Sequence, residues 1–310
     1  MYVDIALSLN RTLQVPLLVV INSILRNTKT TDDSTTPTLR FNIVVPEGDQ
    51  AFFTDKIQAV FASSYGPEAA IFRVREFTPP PFLKHYLDNK FQEKSPERRI
   101  SRYMQYARLF LKELFPDVTR VIYLDGDTLV LGDIQELFVQ GSQLTSHRYL
   151  AAVPQLFPAM FYFSNPFKMW VDLRKFKNTF NSGVLLTDLS FWDARTYTSL
   201  RHYLALDTRN NYRLYNLGDE TVFNLMFKES YIPLHKQWNC WGYGQIHIVG
   251  QFLKLRRKAS QIKILHWSGG HHKPWQGKEV IYSALWRSYI PSMNDRAAVT
   301  TTPVLSQQAS

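Results

Sequence analysis

Two carboxylates one residue apart, Asp125 and Asp127, follow directly on the apolar run 121–124 in the stretch RVIYLDGDTLVLGDIQELF, residues 120–138. Like charges this close repel and raise each other's pKa unless a cation or a set of donors is shared between them. Gly126 permits close backbone approach, so both carboxylates can face one hard divalent cation. Mg²⁺ or Mn²⁺ held by one or two carboxylates completes its shell with water and substrate phosphates. The same spacing suits a plain polar turn, because Asp-Gly is also a hairpin signal. An EF-hand is excluded, since the loop continues TLVLGD without ligands at alternate positions.

A second constellation lies at IKILHWSGGHHKPW, residues 262–275. An apolar run ends in His266, a glycine-rich turn containing Gly269 follows, and Lys273 stands before Pro274 and Trp275. This grouping suits a metal-bound diphosphate, with His266 as third ligand, Lys273 on phosphate oxygens and the glycines giving access. Two other readings fit the spacing: a zinc loop made by His266, His271 and His272, and a surface loop with no ligand.

The elements that must position these groups alternate between strand-like and helix-like patterns, the signature of a mostly parallel sheet flanked by helices. VDIALSL places Val3, Ile5 and Leu7 at period two, with Leu9 next in phase, and reads as the first strand. LQVPLLVVINSILRN puts Leu17, Leu18, Ile21, Ile24 and Leu25 on one helical stripe, with Pro16 tolerable near a first turn. RFNIVV and AIFRVREF read as strands around the helix QAFFTDKIQAVFASSY, and RISRYMQYARLFLKELF as a further helix before RVIYL. TPPP follows AIFRVREF and fits no central strand, and residues 80–97 read as an irregular excursion. Asp125 and Asp127 thus fall at the C-terminal end of a buried strand, beyond which open α/β sheets bind ligands. Asp133 followed by Glu136 is a capping-box pattern for IQELF. Residues 141–180 are aromatic, proline-containing and aperiodic, and predict no element.

Composition sets the outer bounds. The chain has 310 residues, 45% of them hydrophobic, enough for a large core, and a single cysteine, Cys240, so no intrachain disulfide contributes to stability. One domain over 1–295 is expected, followed by a disordered tail over 296–310. The longest early apolar run, VPLLVVI, is far shorter than the roughly 20 residues of a bilayer span, and no basic n-region of a signal peptide precedes it. Any membrane association is therefore expected to run through an anchor outside this chain. The net charge of +10 favours anionic partners without choosing among them. It is spread over short clusters with no recognisable nucleic-acid motif, so no nucleic-acid partner is expected.

Taken together and in order, these motifs resemble the retaining glycosyltransferases of family 8. That family includes glycogenin, the bacterial lipopolysaccharide galactosyltransferases, the plant galacturonosyltransferase-like proteins and the animal glycosyltransferase-8-domain proteins. The likeness runs from DIALSLN to ALWRSYIP. It implies an α/β fold of GT-A type, the nucleotide-diphospho-sugar transferase fold: one Rossmann-like mixed sheet flanked by helices. YLDGDTLVLGDIQELF resembles the family's Asp-x-Asp motif, so Asp125 and Asp127, with His266, would hold Mn²⁺ (or Mg²⁺) against a UDP-sugar. The resemblance places Ala6, Ser8 and Asn10 at the nucleotide, and YARLFLKELFP gives Arg108 as a donor contact. FNSGVLLTDLSFW places Asn181 and Ser182 at the sugar, and HWSGGHHKPW places Gly269 and Lys273 at the phosphates. LGDETVFN gives Asp219 on sugar hydroxyls and Glu220 facing the anomeric carbon, which with Asn181 form the expected catalytic set. QWNCWGYG and LWRSYIP resemble the eukaryotic branches, whose members work in the Golgi.

Three departures from the family pattern stand out. SLNRT lacks the usual acidic residue that reads the nucleobase, the loop between His266 and Lys273 is one residue longer, and Glu220 replaces a usual Gln. A carboxylate there stabilises an oxocarbenium-like transition state or attacks the anomeric carbon. The expected reaction is transfer of a sugar from a UDP-sugar to a hydroxyl of a glycan, lipid or protein, with retention; the departing phosphate oxygen takes the acceptor proton on the same face. The competing readings are a catalytically silent descendant that binds glycan or nucleotide and a sugar-nucleotide pyrophosphorylase. The latter wants a Gly-rich loop after the first strand, and SLNRTLQVP contains no glycine. Plainer roles also exist for single residues. Arg108 could solvate a helix face, Asn181 could bond its own backbone at a strand edge, and Asp219 and Glu220 could cap a helix. The sequon at Asn10 falls where the nucleotide is expected and reads as chance.

Overall fold

The computed structural model describes residues 2–29, 37–65, 70–155, 179–227, 230–245, 252, 254, 259–270, 272–277 and 279–291. The expected tail over 296–310 and most of the aperiodic middle, 156–178, lie outside the described residues.

Among the described residues the backbone is a mixed seven-stranded sheet in the order β3-β2-β1-β4-β7-β6-β8, with a two-stranded sheet, β5-β9, beside it. The strands are β1 (Tyr2–Ser8), β2 (Thr38–Pro46), β3 (Ala70–Phe77), β4 (Arg120–Leu124), β5 (Thr128–Val130), β6 (Leu150–Gln155), β7 (Thr179–Asp188), β8 (Tyr231–Pro233) and β9 (Ile264–His266). β1 runs parallel to both β2 and β4, whereas β7 is antiparallel to β4 and β6. Period-two patterning divides β1 between two cores. Val3, Ile5 and Leu7 meet Leu17, Leu18, Ile21 and Ile24 of helix α1 (Gln14–Asn27) on one face. Ala6, with Tyr123 of β4, joins a second cluster on the other.

The run VPLLVVI is apolar all round for a structural reason. The face of α1 opposite the sheet, through Val15 and Val19, packs on a third cluster with Leu129, Leu265 and Trp267. A helix covered on both sides needs no polar stripe.

Several expectations change. The stretch predicted as irregular contains a helix, α3 (Pro81–Phe91), after α2 (Gln50–Tyr65). Pro81 stands at its first position, where the missing N–H costs nothing, and Leu83, Tyr86 and Leu87 bury its inner face. The next helix, α4 (Pro96–Ala107), starts earlier than predicted, with the Ser95 hydroxyl accepting from Arg98 N–H. It then tightens into a 3₁₀ turn, Arg108–Phe110, before α5 (Leu111–Leu114). The capping box is only half formed. Asp133 accepts from Gln135 N–H to cap α6 (Ile134–Phe138), but the Glu136 side chain ion-pairs with Lys263 instead of reaching back. Beyond β7 lie α7 (Ala194–Arg209) and α8 (Gly218–Phe227).

Candidate metal and donor site

The Asp-Gly-Asp segment makes a turn, Thr128 N–H donating to Asp125 O at 3.2 Å, but no hairpin forms with β4. β5 leaves the main sheet and pairs antiparallel with β9, setting Thr128 opposite His266. The turn is held on both sides: Asp125 N–H donates to Gly183 O at 2.8 Å, and Trp267 N–H to Asp127 O at 3.0 Å. This register, joining segments about 140 residues apart, brings the two motifs together.

One ligand atom from each of Asp125, Asp127 and His266 lies within 4.8 Å of the other two. His266 Nε2 stands 3.1 Å from Asp127 Oδ1 and 3.9 Å from Asp125 Oδ2. Gly183 makes room for them: a Cβ there would lie 2.2 Å from His266 Cε1 and 2.8 Å from Asp125 Oδ2. Two carboxylate oxygens and one imidazole nitrogen at this spacing form a donor set suited to a hard or borderline divalent cation such as Mg²⁺ or Mn²⁺. Among the described residues the group joins His266 to carboxylates; His272 does not belong to it, and His271 lies outside the described residues.

Lys273 reaches the same place despite its longer loop. Its Nζ donates to Asp127 Oδ2 and to Trp267 O, both at 2.5 Å. Burial pushes the Asp127 carboxyl up, but Lys273 and His266 outweigh it and hold the group well below the usual carboxylate range. Gly269 supports the turn. It has φ +111°, and a Cβ would stand 2.8 Å from Gly244 O.

Arg108 is buried, at 4% exposure, and does not solvate a helix face. Its guanidinium donates to Ser182 O at 2.6 Å and ion-pairs with Asp125 at 3.2 Å and Asp219 at 3.0 Å. Burial works against its charge, yet Asp125 and Asp219 raise its pKa further. Asp219 is pushed up to about 7, first by burial, with Asp125 and Glu220 adding to the effect and Arg108 opposing it. Asp219 and Glu220 both lie in the first turn of α8, where the helix dipole favours negative charge.

Glu220 is held by donors: Gln155 Nε2 to Oε1 at 2.8 Å, Asn181 Nδ2 to Oε2 at 3.0 Å and Ser182 N–H to Oε2 at 3.4 Å. Asn181 does bond its own neighbourhood, accepting from Gly183 N–H at 3.1 Å, and also accepts from Asn239 at 2.8 Å.

The nucleotide-side candidates are tied into the fold. The Ala6 side chain is fully covered. Ser8 Oγ donates to Met104 O at 2.9 Å and lies 2.8 Å from Tyr123 Oη, which donates to Asp125 Oδ1 at 3.1 Å. Asn10 caps the 3₁₀ turn Arg11–Leu13 and donates to Ser101 Oγ at 2.7 Å.

Sequence reasoning missed Gln155, Tyr123 and Asn239. Tyr123 was legible only as a strand residue. Asn239 follows a 3₁₀ turn, Lys236–Trp238, and carries no local signal, because its partners come from other segments.

The description "Glycosyl transferase family 8" matches residues 4–279. "Probable galacturonosyltransferase-like 4" of Arabidopsis thaliana is 29% identical over 205 residues, covering 63% of this chain and 57% of the relative. "Probable galacturonosyltransferase-like 10" of the same plant is 33% identical over 201 residues, covering 60% and 53%. The match thus takes in little more than half the length of these relatives. Among solved structures, the galactosyltransferase LgtC, in complex with donor and acceptor sugar analogs, aligns with a TM-score of 0.63 over 97% of both chains, at 19% identity. That likeness shows the fold, which is of GT-A type as expected.

Proposed function

Because the chain belongs to glycosyl transferase family 8, we propose that it is a retaining, metal-dependent glycosyltransferase that moves a sugar from a UDP-sugar to a hydroxyl acceptor. The observation that carries this reading is the convergence of Asp125, Asp127 and His266, within 4.8 Å of one another, beside Lys273 and the Asp219–Glu220–Asn181 group.

Asp125, Asp127 and His266 would hold Mn²⁺ or Mg²⁺, which when bound neutralises charge on a diphosphate. The rest falls to side chains. Lys273, beside Asp127, offers its ammonium to the phosphate oxygens as charge develops there. Arg108 acts through others, pinning Asp125 and Asp219 in place. Asp219 accepts from donor-sugar hydroxyls, while the Glu220 carboxylate, steadied by Gln155 and Asn181, faces the anomeric carbon and stabilises positive charge as the C–O bond lengthens. The acceptor hydroxyl attacks from the face the diphosphate leaves, giving its proton to the departing phosphate oxygen. Retention follows without a dedicated protein base.

Ser8 and Asn10 frame the nucleotide through the strand end they rigidify. The relatives' names put UDP-galacturonic acid first among donors to try. The +10 charge favours an acidic acceptor, which a fall in rate with ionic strength would support and indifference to it would contradict. Work in the Golgi is proposed from the family's eukaryotic branches; co-localisation with a Golgi marker checks it. Among the described residues no helix is long and apolar enough to cross a membrane.

Asp127→Ala tests the whole reading. The variant should keep its fold by circular dichroism and lose sugar transfer by about a thousandfold, a loss typical of removing a key electrostatic stabiliser. Full activity in a folded variant would refute it.

A further inference from the structure

Asn239 is 0% exposed and lies on no strand or helix. Backbone bonds anchor its neighbour beside β9: Cys240 N–H donates to Ile264 O at 2.9 Å, and His266 N–H to Cys240 O at 3.0 Å. A fully buried amide must find partners for both its ends, and Asn239 has Asn181 on one side and His266 on the other.

The orientation propagates from a group with no choice. Gly183 N–H can only donate, so the Asn181 atom it meets at 3.1 Å is Oδ1. Asn181 therefore turns its NH₂ to Glu220 Oε2 at 3.0 Å, an oxygen that also receives Ser182 N–H. Asn181 Oδ1 is likewise what Asn239 meets at 2.8 Å, so Asn239 presents its NH₂ there. Its remaining oxygen, Oδ1, lies 2.9 Å from His266 Nδ1. An amide oxygen only accepts, so Nδ1 carries a hydrogen. In a neutral ring the lone pair is then on Nε2, the nitrogen that faces Asp127 and Asp125.

We infer that Asn239 is a positioning residue that fixes His266 as an Nε2 metal ligand, and that Asn181 extends this linkage to Glu220 at the sugar end of the site. The inference rests on the proposed metal role of Asp125, Asp127 and His266. It gives the buried amide pair a purpose beyond packing: with both ends of Asn181 held by Gly183 N–H and Glu220, Asn239 is kept in one orientation and the imidazole in one tautomer.

The test is Mn²⁺ titration calorimetry on the full chain and three variants. Asn239→Leu, which keeps the volume and removes the acceptor, should weaken Mn²⁺ binding by about 10–100-fold, the usual effect of losing a partner behind a metal-bound histidine. Asn239→Asp keeps an acceptor for Nδ1–H but loses the NH₂ that meets Asn181 Oδ1, and should bind Mn²⁺ more tightly than Asn239→Leu. Asn181→Ala, which touches no ligand of the cation, should also weaken binding. The metal-free wild type, held in EDTA at pH 8, should show a neutral His266 ring with its hydrogen on Nδ1 by ¹⁵N NMR, a readout that tests the orientation even if Asn239→Leu fails to fold. Equal Mn²⁺ affinity in the wild type and a folded Asn239→Leu, or an Nε2-protonated ring in the metal-free protein, would overturn the role of Asn239 while leaving the metal site standing. A wild type that binds neither Mn²⁺ nor Mg²⁺ would overturn the metal reading itself, and this inference with it.

Discussion

Gly183 and His266 occupy one space: a Cβ on Gly183 would stand 2.2 Å from the imidazole Cε1 and 2.9 Å from Nδ1. The strand residue is small because the histidine must enter, and His266, at 2% exposure, has no open side to retreat to. Gly183→Ala should therefore push the ring off its position. Weaker Mn²⁺ binding, by at least about tenfold, and a Tm lowered by about 2–4 °C for each kcal/mol of stability lost are the expected outcomes, read by calorimetry and thermal melting.

Asp219 ties activity to a stability cost. Its pKa rises from 3.8 to about 7 on folding, so the folded chain binds that proton more tightly than the unfolded chain. The penalty for charging it is absent below about pH 4, grows as pH rises towards 7, and is complete above 7. At about 1.4 kcal/mol per pH unit the upper bound is about 4 kcal/mol. Asp219→Asn should thus be more stable than the wild type at pH 8 in EDTA, with the gap closing by pH 4, and should lose sugar transfer. Denaturant midpoints at both pH values check the first part; a gap that widens on acidification would contradict it.

Lys273 offers one ammonium between Asp127 Oδ2 and Trp267 O. Removing a charge-assisted bond to phosphate costs about 1.5–3 kcal/mol, so Lys273→Ala should weaken UDP binding by about 10–100-fold. Uridine, which carries no phosphate, should bind the variant and the wild type alike.

Far from the site, Lys90 and Asp207 form a buried pair at 2.7 Å, with side-chain exposures of 5% and 0%. Lys90→Met leaves the Asp207 charge without its cation, although Tyr86 Oη and the N–H groups of Leu214 and Tyr215 still donate to it. The expected loss is about 3 kcal/mol, at the low end for breaking a buried pair, measured by urea denaturation. An unchanged midpoint would mean that those donors alone suffice.

The strands were legible where periodicity and length agreed: RVIYL is β4 and AIFRVREF is β3, residue for residue. Helix α3 was not, because TPPP reads as a breaker whereas Pro81 sits at the one helical position that tolerates it. Asp125, Asp127 and His266 could be picked out because their residue types carry chemistry at short spacing. Their meeting could not be derived from spacing, since it depends on β5 leaving the sheet to pair with β9. Asn239 shows the limit most plainly. Its partners lie 58 residues before it and 27 after it, and nothing in QWNC marks a buried amide that joins them.

The most direct measurement is UDP release from a panel of UDP-sugars, UDP-galacturonic acid among them, by the purified chain with Mn²⁺ and then with EDTA. Metal-dependent release from one donor, abolished by EDTA and by Asp127→Ala, is the predicted result, since slow transfer to water reports turnover without a known acceptor. No release from any donor, together with no thermal stabilisation by UDP and Mn²⁺, would contradict the account. Stabilisation without release, even when hydroxyl acceptors are supplied, would instead make the chain a silent member of its family that binds nucleotide without acting on it.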